Sequence, residues 1–456
     1  QRPPRRSRSP KAPPMADLFD KAYIVAVDMG YGHQRAAFPL ARFAAVPDGW
    51  DVDSKIISAN SYPGIPFSDK ARWNSTRKIY EAISRVQGFP FLGKRIFRLM
   101  DAVEIIHPFY PRHDLSDPTF ALKIIRNLIS GGFGMHLVSQ LNRKPLPLIA
   151  TFPIPAFMAE MHGYKGDIYA LCTDTDIARG WVAVDPKQSR IKYLAPTIRV
   201  KERLQLYGVP SERITVTGFP IPEEQPAALG KRIIRLDPKG GYRKKYDKLI
   251  SLYLDPDDLK GSDSHPVTLM FAIGGAGAQA SIATKIMRSL SWEISKGSIR
   301  LILSAGTNVR IRDRFDAWIK ELGLGQFAGT NVDVLYQSDK YRYFEEFNKA
   351  LNETDILWTK PSELSFYAAL GLPIIMAPTL GAQEESNRSW LHMMGAGFEQ
   401  YDPLYANEWL MDWLNSGWLA EAAMNGFINA PRDSAKRIED LVLRGIKNEI
   451  EDVHFV

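Results

Sequence analysis

Two glycine turns constrain this chain more than any other feature, because each stands behind an apolar strand-like run and ahead of a helix-like run. The first follows YIVAVDM (residues 23–29) and reads Asp28-Met29-Gly30-Tyr31-Gly32-His33. The second ends VTLMFAIGG (267–275) and reads Gly274-Gly275-Ala276-Gly277-Ala278-Gln279. Glycine permits a tight turn and lets a ligand come close to backbone N–H groups. Neither turn is a P-loop, since no Gly-Lys-Ser/Thr follows, and neither is a dinucleotide fingerprint.

Around these turns, strand and helix signals alternate. PLIATFP, IYALCTD and IKYLAP continue the first half; IRLILSAG, VDVLYQ, DILWTK and LPIIMAP continue the second. Such alternation predicts parallel sheets covered by helices, with ligands at the carboxyl ends of the strands. A chain of 456 residues is too long for one ordinary core and suits two domains of roughly 200 residues each. The expected division is a disordered basic tail over 1–14, a first Rossmann-like lobe over 15–222 and a second over 223–433. A basic, weakly apolar insertion at 230–248 and a C-terminal helix within 434–456, bracing the first lobe, complete it. Met15 is a natural start in this reading. No apolar run approaches the ~20 residues of a membrane span. The single cysteine, Cys172, excludes an intrachain disulfide and fits a reducing compartment.

Chemistry-bearing residues collect at the strand ends. In TKPSELSFYAALGLPII (359–375), Lys360, Ser362, Glu363 and Ser365 stand where a strand turns into a helix. Unpaired N–H groups and the helix dipole favour an anion there. Read more plainly, Ser362 is an N-cap and Glu363 complements the dipole. Gln383, Glu384 and Asn387 follow another strand-end turn, and Asn308 lies in SAGTNVR. His33 brings a titratable group to the first turn; with Asp28 as a neighbour its pKa is expected to rise. Asp174-Thr175-Asp176 has the Asp-x-Asp form that holds a divalent metal in another fold, but here it reads as an acceptor-side or structural feature. No Cys/His cluster has zinc spacing.

In this order the segments resemble the two-lobed GT-B nucleotide-sugar glycosyltransferases. The closest branch holds monogalactosyldiacylglycerol synthase, the diacylglycerol glucosyltransferases and the peptidoglycan-precursor N-acetylglucosaminyltransferase. VDMGYGHQRAA is similar to its first glycine turn, LCTDTDIARGWVAVDP to its Thr-Asp strand, and RLQLYGVPSERITVTGFPIP to its pre-linker segment. FAIGGAGAQ resembles its diphosphate loop, and DILWTKPSELSFYAALGLPIIMAP with GAQEESN its donor-sugar segment. The resemblance implies an α/β GT-B fold and inverting, metal-independent transfer from a UDP-sugar, with no cofactor. It implies His33 or Asp28 as base. Gly30, Gly32, Gly274, Gly275, Gly277, Gln279, Asn308, Lys360, Ser362, Glu363, Ser365, Gln383, Glu384 and Asn387 would serve the donor, and Asp174 and Trp181 the acceptor side. Two departures stand out. The branch usually has a His within what is here Ile177-Ala178-Arg179. It also has a ribose-holding Glu where this chain reads Phe366-Tyr367-Ala368, which leaves Glu363 as the nearby carboxylate.

The segment 72–100 mixes aromatic with basic residues, as an interfacial helix does, and with 230–248 marks an expected anionic membrane contact. That implies a cytoplasmic protein, peripheral on the inner membrane face, with a lipid-linked hydroxyl as first acceptor. Nucleic acid is not an expected partner. Two other readings stay open: an isomerase like UDP-N-acetylglucosamine 2-epimerase, and a non-catalytic nucleotide-sugar-binding subunit.

Overall fold

The computed structural model describes residues 19–75, 105–222, 226–259, 265–272, 279–379 and 381–450. Strand pairing between the named strands is parallel throughout. The first sheet contains β1 (Ala22–Ala26), β2 (Ala44–Ala45), β3 (Ile57–Ser58), β4 (Leu148–Ala150), β5 (Ile168–Leu171), β6 (Lys192–Ala195) and β7 (Ile214–Val216). Its order is β2-β1-β4-β5-β6-β7, and β3 pairs with the far end of β1 beyond β2. The second contains β8 (Val267–Ala272), β9 (Ile299–Gly306), β10 (Val332–Tyr336), β11 (Ile356–Thr359), β12 (Ile374–Met376) and β13 (Gly397–Glu399). Its order, β10-β9-β8-β11-β12-β13, is the doubly wound 3-2-1-4-5-6 arrangement, which reverses direction beside β8.

These strands form because they are buried on both faces. AYIVA of β1 is buried at every position, as is nearly all of VTLMFA in β8. Each sheet has its own apolar cluster, one around Val25, Ala150 and Tyr193, the other around Phe271, Leu303 and Trp358. A third cluster joins the two sheets: it holds Ile24 and Leu171 of the first together with Met270, Ile302 and Leu357 of the second. The protein is thus two Rossmann-like lobes facing one another, the GT-B architecture.

After the second sheet the helix Ser434–Arg444 lies on the first. Ala435, Ile438 and Val442 enter the shared cluster, Glu439 pairs with Arg42 at 2.9 Å, and the Phe19 N–H donates to the Leu443 carbonyl at 3.1 Å.

The segment 230–248 differs from its expectation as a basic, weakly apolar insertion. It folds into the helices Pro226–Leu236 and Gly241–Lys245 and the start of Asp247–Ile250. Ile233, Leu236 and Tyr242 belong to the second core. Arg232 is buried and donates to the carbonyls of Thr354 (3.0 Å) and Leu370 (2.7 Å), while Arg235 pairs with Asp355 at 2.7 Å. Its arginines therefore hold the fold, and the cations it leaves at the surface are lysines such as Lys244, Lys245 and Lys248. The tail 1–14, residues 76–100 of the aromatic–basic segment, and 451–456 lie outside the described residues.

Candidate active site

The first glycine turn leaves the carboxyl end of β1 and enters the helix Gly32–Ala37. Gly30 has φ +102°, a conformation that side-chain-bearing residues rarely adopt. His33 is held by its Nδ1, which donates to the Thr151 carbonyl at 2.8 Å, at the end of β4. That bond assigns the neutral tautomer and leaves Nε2 as the ring's lone-pair acceptor. Phe152 packs edge-on against the imidazole with centroids 4.8 Å apart, and Trp181 lies at 6.2 Å.

Burial in this aromatic setting depresses the His33 pKa to about 4, against weaker upward pulls from the Thr151 carbonyl and the Glu363 carboxylate. The expectation of a pKa raised by Asp28 is therefore corrected. Asp28 turns away: its carboxylate pairs with Lys340 of the second lobe, and its N–H donates to Asn60 Oδ1 at 3.0 Å. A stability consequence follows. The folded pKa of about 4 lies below the ordinary 6.5, so the unfolded chain takes up this proton first as pH falls. The neutral-His contribution is complete above pH 6.5 and lost by pH 4, about 3 kcal/mol at most. Urea titrations between pH 7 and 4 should show this slope, and His33→Gln should remove that part of it.

Across the cleft, the run after β11 is a 3-10 helix, Glu363–Leu370, in which all residues after Glu363 are buried. Ser362 occupies its N-cap position through its carbonyl, which accepts the Ser365 N–H at 2.9 Å; its hydroxyl makes no cap bond. Ser365 is fully buried with its hydroxyl unpartnered. Lys360 pairs with Glu384, which opens the helix Ala382–Met394 beside Gln383. Two of the residues expected to serve the donor thus face each other.

Glu363 points to the first lobe. Its carboxylate lies 3.3 Å from Arg35 Nε, and its other oxygen rests over Gly32. Arg35 is buried, its guanidinium over Phe347 at 4.3 Å and Phe344 at 4.8 Å. Asn387 is also fully buried. Its Oδ1 accepts the Thr175 N–H at 3.0 Å, and its Nδ2 donates to Asp174 Oδ1 at 3.2 Å and to the Pro361 carbonyl at 3.4 Å. It is a pin between lobes. Asp176 forms a two-point pair with Arg203, at 2.8 and 2.7 Å.

Other expected residues divide similarly. Asn308 caps the helix Val309–Glu321 by accepting the Arg310 and Ile311 N–H groups. Gln279 precedes the helix Ala280–Ser289 and donates to the Pro378 carbonyl at 2.8 Å. Gly274, Gly275 and Gly277 lie outside the described residues. The departures also find local reasons. Arg179 donates to the carbonyls of Ser116, Val182 and Ala183. In the stretch Phe366-Tyr367-Ala368, Phe366 stacks on Phe219 at 4.5 Å, apolar packing between the lobes.

Tyr31, Arg35, Thr151 and Phe152 were not singled out by sequence. The Tyr31 hydroxyl accepts the Thr307 N–H at 2.8 Å, and a side chain on Gly306 would occupy its place. The flanking of His33 by Tyr31 and Arg35 within one short turn was the one available signal.

Residues 260–401 match a family described as "Domain of unknown function (DUF6938)". The processive diacylglycerol beta-glucosyltransferase of Bacillus cereus (strain B4264) is 23% identical over 257 residues, 56% of this chain and 55% of that protein. That of Bacillus thuringiensis (strain Al Hakam) is 24% identical over 259 residues, with the same coverage of 56% and 55%. The chain spans about half the length of the curated relatives it matches. Among solved structures, the Staphylococcus aureus MnaA–UDP co-structure aligns over 95% of this chain and 100% of that one, at 13% identity and TM-score 0.46. Acinetobacter baumannii MurG aligns over 92% and 99%, at 13% identity and TM-score 0.45. The chain resembles the GT-B glycosyltransferase branch to which its motifs pointed.

Proposed function

We propose that this protein transfers a glycosyl group from a UDP-sugar to an acceptor hydroxyl with inversion, His33 serving as base. The observation that carries this reading is the His33 ring itself. Its tautomer is set by a backbone carbonyl, its pKa keeps it neutral at pH 7, and the turn bearing it faces the Lys360 turn through Glu363. The acceptor oxygen attacks the anomeric carbon and its proton passes to His33 Nε2. The bond from that carbon to the diphosphate breaks, and its electron pair leaves on the phosphate oxygen. Lys360 exchanges Glu384 for the diphosphate, where a preorganised cation or N–H group is worth about 3–4 kcal/mol to the departing charge. Glu384 and Gln383 take sugar hydroxyls. Gly274, Gly275 and Gly277 would wrap the diphosphate by backbone approach. A lipid hydroxyl is the first acceptor to try, in keeping with the name of the curated relatives.

The test is nucleotide release from a panel of nucleotide sugars, with and without diacylglycerol-containing lipid extract. Release that requires acceptor supports transfer. Interconversion of the sugar without acceptor would replace it with the isomerase reading, and UDP binding without either would leave a binding subunit. Transfer is expected to survive EDTA. Loss restored by Mn or Mg would assign Asp174 and its neighbours to a metal instead.

A further inference from the structure

His33 lies on the first lobe, whereas the proposed diphosphate and sugar contacts belong to the second. The His33 ring is fixed within its own lobe by the Thr151 carbonyl. The gap between base and donor therefore depends on what ties the His33 turn to the second lobe. Tyr31, two residues before His33, makes such a tie. It stands at the start of the helix Gly32–Ala37, where its carbonyl accepts the Arg35 N–H at 2.7 Å. Its side chain crosses to the second lobe at the carboxyl end of β9. There its hydroxyl accepts the Thr307 N–H at 2.8 Å and bonds the Thr307 hydroxyl at 3.1 Å.

The receiving surface is shaped for this side chain. A Cβ on Gly306 would collide with the Tyr31 hydroxyl and stand 2.9 Å from the ring carbon that bears it. Gly306 also has φ +64°, so glycine there gives both the backbone conformation and the room for a side chain from the other lobe. Tyr343 and Phe344, on the helix Lys340–Leu351, flank the ring with centroids at 5.3 and 6.0 Å. The neighbouring tie, Asp28 to Lys340, is an ion pair with a half-exposed carboxylate, which solvent and salt weaken. The Tyr31 contact is neutral and directional, and packing holds its ring.

We propose that Tyr31 is a positioning residue for His33. Docked on Thr307 against Gly306, it sets the distance between the base and the anomeric carbon of a donor held by the second lobe. This inference rests on the transfer reading above. Attack requires base, hydroxyl and anomeric carbon in one geometry, and a misplacement of about 1 Å can cost on the order of a hundredfold in rate.

The test compares Tyr31→Phe with the wild type in the acceptor-dependent nucleotide-release assay. The variant keeps the ring beside Tyr343 and Phe344 and loses the tie to Thr307. Its kcat should fall about tenfold, with UDP affinity nearly unchanged. The acid limb of the pH–rate profile should stay in place, because Thr151 and Phe152 still hold the His33 ring. A purely structural tyrosine would lower the urea midpoint and leave kcat of the folded protein alone. Gly306→Ala presses on the same contact from the second lobe and keeps the test available should Tyr31→Phe misfold. It should lower kcat about tenfold in the wild type. In a Tyr31→Ala background it should cost much less, because the space is vacant and only the cost of positive φ remains. The same cycle read in urea midpoints reports the contact without any assay of transfer. Wild-type kcat in a folded Tyr31→Phe protein, or equal losses from Gly306→Ala in the two backgrounds, would overturn the proposal and leave the transfer reading standing. A wild type that releases no nucleotide with any donor and acceptor would overturn the transfer reading and the positioning role together, whatever the midpoints show.

Discussion

Turnover of the His33→Ala protein is expected to fall by about a hundredfold or more, the usual scale for loss of an acid–base group, with UDP affinity nearly unchanged. The split follows from placement. His33 sits on the first lobe's turn, held by Thr151 and walled by Phe152, whereas the proposed phosphate contacts belong to the second lobe. The pH profile should bear the same mark. With a pKa near 4, His33 is unprotonated at every pH above about 6, so rate loss through its protonation belongs below pH 5. Asp28→Asn is the control. Asp28 is half-exposed and pairs with Lys340, and screened pairs of this kind contribute little, so its turnover should stay within a few-fold of wild type. Near-normal turnover in His33→Ala, with collapse in Asp28→Asn, would move the base to Asp28.

Replacing Glu363 with alanine should destabilise the protein by about 3–5 kcal/mol, the range for removing one member of a buried ion pair. Arg35 is buried with its guanidinium against Phe347, Phe344 and Tyr343, and Glu363 is its carboxylate partner at 3.3 Å. Removing that carboxylate leaves a buried cation in an aromatic cage spanning both lobes, with the hydroxyls of Tyr343 and Tyr367 as its remaining polar partners. Arg35→Met together with Glu363→Leu should recover most of the loss, since an apolar pair of similar volume replaces the ions without an unpaired charge. Denaturant midpoints for the two single variants and the double variant measure the coupling directly. Additive losses would show that the pair does not act as a pair. The same variants bear on the donor, because Glu363 is anchored from the first lobe and its remaining oxygen lies over Gly32.

Much of the architecture is legible in the residue pattern alone. Runs such as YIVAV and VTLMFA carry their burial with them, and the helix-like segments between them leave parallel pairing as the way to connect them. The strand-end clustering of His33, Lys360, Glu363 and Glu384 is equally plain, because a turn between a strand and a helix is a local matter. The segment 230–248 defeats a reading by composition for the opposite reason. Counting charge does not say which arginines turn inward, and Arg232 and Arg235 find carbonyls and a carboxylate more than a hundred residues away.

Partnership is where the pattern of residues stops being informative. Residue types at the two turns supply donors, acceptors and charges, but which meets which depends on how closely the lobes approach. Asp28 is near His33 along the chain yet spends its charge on Lys340; Glu363 meets Arg35; Asn387 satisfies Asp174, Thr175 and Pro361 at once. Local pattern therefore determined the two lobes, their glycine turns and the kinds of side chain at the strand ends. Tertiary structure decided the tautomer and pKa of His33 and the pairing of these charges between the lobes, because desolvation and ion pairing depend on distances that only the closed arrangement of the two sheets sets.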